Sequence, residues 1–202
     1  MPANDNKLSF AYVLVSQFCI VFIGCLIVIA AELPWRWWHS SPVVDLSLGI
    51  FAAVVTYALM YFVYLYGGRV AEQLTIDVKK MGRHFIGYSW GKLVIISILA
   101  GVGEELLFRV GLQAWFATHV NIYLAILIPA LIFGLLHFIS FVYFVVATLM
   151  GIVFGVAYHF SDSLVLVMLW HGAYDLIALA VLVKYPHIIG VSFEEENATL
   201  IS

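Results

Sequence analysis

The chain has 202 residues, of which 64% are hydrophobic and 10% charged, with a formal net charge of −3. A soluble domain carries about a quarter charged residues. So little charge excludes a water-facing globule, a disordered chain and a nucleic-acid binder, which needs a basic footprint. A protein surrounded by lipid remains, and the length suits one compact membrane domain over residues 1–202.

A membrane-crossing helix needs about 20 mostly apolar residues. The first such stretch covers residues 10–31. Lys7 before it and Ala30-Ala31 after it imitate a secretory signal, but the apolar core exceeds the usual ~7–15 residues and predicts a retained span. Cys19 and Cys25 lie on different faces of this helix and read as small packing residues. Residues 32–42 form a break rich in tryptophan (Trp35, Trp37, Trp38), as at a membrane interface. A second span covers residues 43–66. Gly67-Gly68 and the longest polar stretch follow, and residues 71–84 read equally as an amphipathic segment on the anionic leaflet or as a solvated loop.

Residues 88–117 form a third span with Glu104, Glu105 and Arg109 inside it, closed by a turn at Thr118 to Asn121. Residues 122–160 are apolar for too long to be one crossing and must fold back near His137 to Phe141. A last span covers residues 164–183, ahead of a polar tail with Glu194-Glu195-Glu196. The expected fold is all-α, a polytopic membrane helix bundle of about six transmembrane helices. Six crossings put Lys7, Arg69, Lys79, Lys80, Arg83, Lys92 and Lys184 on one side and Arg36 on the other, so both the N- and C-termini should be cytoplasmic. The sequon Asn197-Ala-Thr199 then reads as chance. Gly151 and Gly155, a Gly-x-x-x-Gly pair, favour close packing within the bundle over dimerisation. His39, His84, His119, His159 and His187 fall near span ends and read as interfacial.

Ionisable groups inside a span cost roughly 2.5–3.5 kcal/mol each at mid-membrane and usually mark a function or a partner. Glu105 and Arg109 have the i, i+4 spacing that lets them pair. Glu104 points about 100° away around the helix and lacks that partner. His137 ends Phe133-Gly-Leu-Leu-His137, while His171 opens His171-Gly-Ala-Tyr-Asp175 and shares a helix face with Asp175. A site drawing Glu104, Glu105, Arg109, His137, His171 and Asp175 from three helices follows the way bundles build polar sites. Neither a serine nor a cysteine stands in a nucleophile setting, so the set points to activation of water, with Glu104 as base and histidines orienting the water or stabilising an oxyanion. The same residues also suit zinc, held by Glu104, His137 and His171. The pattern alone leaves both mechanisms open.

Glu104-Glu105-Leu-Leu-Phe-Arg109, Phe133-Gly-Leu-Leu-His137 and His171-Gly-Ala-Tyr-Asp175 resemble, in order, the three motifs of the CAAX protease and bacteriocin-processing (CPBP, or Abi) intramembrane proteases. The likeness covers residues 101–183, with the motif-bearing core at about 85–183, and includes Leu112-Gln113. It implies an endopeptidase cutting in or beside the membrane. Glu104 would activate water, His137 would position it, His171 would act with Asp175, and Glu105 and Arg109 would hold the first motif in shape. The family resemblance favours a glutamic-type enzyme without a cofactor over a zinc enzyme. Asp175 stands where the prenyl-protein proteases have Asn, which puts a CAAX substrate in question. The short chain ahead of the motifs resembles the bacterial branch and implies a multi-pass protein of the bacterial inner (cell) membrane. The expected partners are membrane lipid and a peptide or protein substrate, lipidated or not, with no nucleic acid. A non-enzymatic immunity or regulatory protein on the same scaffold is the main alternative. A small proton-coupled transporter is the other, and no inverted repeat supports it.

Overall fold

The computed structural model describes residues 9–33, 35–39 and 41–193. The expectations placed on Lys7, Glu194 to Glu196 and the Asn197 sequon lie outside the described residues. Helices α1 (Phe10–Ala30) and α2 (Pro42–Tyr66) are followed by a shorter α3 (Arg69–Gly82). α4 (Trp90–Glu105) runs on through a π-helical stretch (Leu106–Gln113) into the single turn α5 (Ala114–Ala117). α6 (Ile122–Leu136), α7 (Phe141–Ser161) and α8 (Leu164–Lys184) complete the bundle. No strand occurs among the described residues.

This is a helical membrane bundle. α1, α2, α7 and α8 are each long and apolar enough to cross a bilayer. α6, with 15 residues, is shorter, spanning roughly 22 Å at about 1.5 Å per residue. The fold-back expected near residues 137–141 is present, between the end of α6 and the start of α7. Phe22, Ile29, Phe51, Phe62 and Phe160 project from the outer surface. Apolar patches of that extent do not face water in a monomer, but they suit lipid.

The helix starts are written in the sequence. Ser41, Ser89, Asn121, Ser140 and Ser163 each accept a hydrogen bond from the backbone N–H three residues on. Each thereby satisfies one of the donors a helix N-terminus leaves unpaired. At one end of the bundle, Ser163 also donates to Asp45 at 2.8 Å, His39 N–H donates to the same carboxylate at 3.0 Å, and Arg36 pairs with Asp162 at 3.4 Å. At the other end, Ser140 donates to Asp77 and Lys184 to the Tyr88 carbonyl.

α8 is the spine, packed along α4 on one side and α2 on the other, while α6 pairs with α7. Small residues set the spacing, as lipid-embedded packing favours. A Cβ on Gly101 would lie 2.5 Å from the Met168 carbonyl oxygen, and one on Gly172 would lie 2.9 Å from that of Ser97. Gly151 meets Ala130 of α6 and Gly155 meets Gln113 and Arg109, so this glycine pair serves packing within the bundle. α3 is a helix rather than a solvated loop. It turns Ala71, Leu74 and Asp77 inward against α7 and α8.

Candidate active site

Glu104 and Glu105 close the last turn of α4, Arg109 lies in the π-helical stretch, His137 caps the C-terminus of α6, and His171 and Asp175 lie one turn apart on α8. All six expected residues meet at one place. The Gly101–Gly172 contact is what allows this, because it brings the backbones of α4 and α8 together one turn from both glutamates.

Glu105 and Arg109 are fully buried. The Arg109 Nε–H donates to Glu105 Oε2 at 2.8 Å, and the Glu105 Oε1 atom lies 2.9 Å from His171 Nδ1. A carboxylate paired with arginine can only accept, so His171 Nδ1 carries the proton and its Nε2 faces the site. His137 is fixed in the same sense. Its Nδ1 lies 2.9 Å from the Phe133 carbonyl, another acceptor, and leaves Nε2 free. Aromatic faces hold both rings: Phe133 stacks on His137 at 4.3 Å between centroids, and Phe154 on His171 at 5.1 Å.

Both Nε2 atoms lie 3.8 Å from Glu104 Oε2. That is too long for direct hydrogen bonds, and Glu104 Oε2 is buried with no hydrogen-bond partner among the described residues. A buried polar atom with two imidazole nitrogens around it is a place for a bridging water. Asp175 Oδ2 adds a second carboxylate at 3.5 Å from His171 Nε2. Glu104, His137, His171 and Asp175 line a cavity of about 270 Å³ enclosed by side chains from α1, α2, α3, α6, α7 and α8. Its walls are otherwise mostly apolar and include Met60, Leu74, Met81, Phe133 and Tyr143.

Gln113 extends this arrangement. Its Nε2 donates to the Gly155 carbonyl at 2.9 Å and its Oε1 accepts from Arg109 Nη1 at 3.5 Å. The polar chain thus runs from the α7 backbone through Gln113, Arg109 and Glu105 to His171. Sequence reasoning noticed Gln113 beside the first motif but gave it no part in the site. It missed Phe154 altogether, since one phenylalanine in an apolar helix carries no signal of its own.

A zinc site would need Glu104, His137 and His171 to converge on one ion. The donor types suit zinc, but among the described residues no group of three or more His, Cys, Asp or Glu side chains is arranged to hold a metal.

A helix bundle that draws a carboxylate and imidazole cluster from several helices is a membrane protein with a candidate functional site. Residues 86–177 match the family of type II CAAX prenyl endopeptidases described as Rce1-like. Over that span, which is less than half of its length, the chain is similar to the CPBP family of membrane proteases. No curated protein and no solved structure matches the chain.

Proposed function

We propose that this chain is a glutamic-type intramembrane endopeptidase whose site is formed by Glu104, His137, His171 and Asp175, with Glu105 and Arg109 as its scaffold. The observation that carries the reading is the unpartnered Glu104 Oε2, buried between two imidazole Nε2 atoms at 3.8 Å. A water there gives one hydrogen to Glu104 Oε2 and the other to His137 Nε2, whose tautomer makes it an acceptor. Its lone pair then points away, toward a substrate carbonyl.

Glu104 takes the proton as the water oxygen attacks, and returns it to the amine as the tetrahedral intermediate collapses to acid and amine. His171, oriented by Glu105, turns its Nε2 into the space between Glu104 and Asp175. The apolar cavity suits a hydrophobic segment or lipid group beside the scissile bond. Under this reading the chain makes six crossings with both termini cytoplasmic, and a bacterial inner membrane is its setting.

The test uses the full chain in nanodiscs with two quenched fluorescent peptides of the same CAAX-type sequence, one prenylated and one not. Glu104→Gln should lower cleavage by about 10²–10⁴-fold. Cleavage retained by Glu104→Gln would sink the reading and leave the non-enzymatic alternative. Comparison of the two peptides decides whether the lipid is recognised. Activity persisting after chelation, in protein shown by elemental analysis to be metal-free, separates the glutamic mechanism from the zinc one.

A further inference from the structure

Hydrolysis of an amide places negative charge on the carbonyl oxygen, and a site that accelerates it holds an N–H or O–H donor where that charge forms. The motif residues of this chain leave the post without an obvious holder. Asp175, as a carboxylate, can only accept, and it stands at the position where an asparagine amide would donate. The Nδ1–H groups of both histidines are committed to the Phe133 carbonyl and to Glu105. Arg109 is fully buried behind Glu105.

Resting on the protease reading, we propose that the phenol of Tyr143 is the oxyanion donor of this enzyme. Tyr143 lies in the first turn of α7, immediately after the turn that carries His137, and its backbone N–H is tied to Ser140 Oγ at 3.1 Å. Its side chain lines the same cavity as Glu104, His137, His171 and Asp175. Among the described residues the phenol donates to the Met81 thioether, at 3.8 Å. A thioether is a weak acceptor, so the O–H is held in place by α3 yet free to turn to a stronger acceptor.

Tyr174 is the nearest rival. It lines the same cavity three residues after His171, and its ring lies beside Tyr57 at 6.4 Å. In the reaction, the water oxygen bonds to the carbonyl carbon and the C=O π pair moves onto oxygen. The Tyr143 O–H donates a hydrogen bond to that oxyanion without giving up its proton. When the pair returns and the C–N bond breaks, the amine leaves with the proton held by Glu104.

The experiment compares wild type, Glu104→Gln, Tyr143→Phe, Tyr174→Phe, Asp175→Asn and Tyr143→Phe/Asp175→Asn, all in nanodiscs with the same fluorescent peptide, with folding checked by thermal unfolding. Tyr143→Phe keeps the ring and should lower kcat by about 10²–10³-fold with KM nearly unchanged. Asp175→Asn supplies an amide donor and should restore at least about tenfold of that loss in the double variant, a coupling a packing role would not produce. Full activity in Tyr143→Phe, or the large loss falling on Tyr174→Phe instead, overturns the proposal while leaving the protease reading intact. Cleavage surviving Glu104→Gln is the separate failure of that reading.

Discussion

Glu105 and Arg109 persist in an apolar interior because each finds its charge matched, although Arg109 Nη2 makes no hydrogen bond among the described residues. Arg109 pairs with Glu105 at 2.8 Å, and Glu105 spends its second oxygen on His171. Breaking a buried pair from one side leaves a lone charge, which costs about 3–5 kcal/mol. Glu105→Ala and Arg109→Ala should each therefore lower the unfolding temperature sharply in detergent and abolish cleavage. Arg109→Met combined with Glu105→Gln should unfold later than either single alanine variant, because no orphaned charge remains, yet stay inactive because His171 loses its orienting carboxylate. Recovery of stability without recovery of activity is the outcome that separates scaffold from catalyst. Phe154→Ala is a subtler case: it frees the His171 ring from its stacking partner, and a loss of kcat larger than any change in KM would mark its role as positioning. The motif positions themselves were legible in the sequence, since charge inside an apolar span stands out. Phe154 was not, because stacking is a relation between two helices and has no trace in either one alone.

The helices decide how closely those residues approach. α4 and α8 cross at Gly101 and Gly172, where any added carbon would meet a backbone atom at 2.5–2.9 Å. Gly101→Ala should force the pair apart at a cost of about 1–3 kcal/mol. Activity should fall along with thermal stability, because the contact lies one turn from Glu104. Below Glu105 the chain winds as a π-helix through Leu106–Gln113, a form that often accompanies functional sites. The sequence reading treated residues 88–117 as one regular helix, and hydrophobic spacing gives no warning of the change. α3 was equally hard to place. Its sequence suited an amphipathic leaflet segment or a solvated loop alike, and what ties it to the bundle is Asp77, fully buried with Gln73 and Ser140 as donors. Asp77→Ala should cost about 1–3 kcal/mol, seen as a lower unfolding temperature, and faster proteolytic nicking within Arg69–Gly82 would show that α3 has loosened.

At the scale of the whole molecule, topology can be tested without a substrate. In a background with Cys19→Ser and Cys25→Ser, a membrane-impermeant thiol reagent added to intact cells should label Asn121→Cys and leave Gly87→Cys unlabelled until the membrane is opened. The reverse pattern would overturn the cytoplasmic placement of the termini. The sequence by itself determined that this chain lives in lipid, roughly where its long apolar spans fall, and which six polar residues to watch. Those properties are local: they follow from the length of apolar runs and from the free energy of placing charge in hydrocarbon. The tertiary structure alone decided that the six converge, that both imidazoles turn the same nitrogen toward Glu104, and that Tyr143 and Met81 line the same cavity. Those facts depend on distances between helices far apart in the chain, set by glycine contacts that no local pattern encodes.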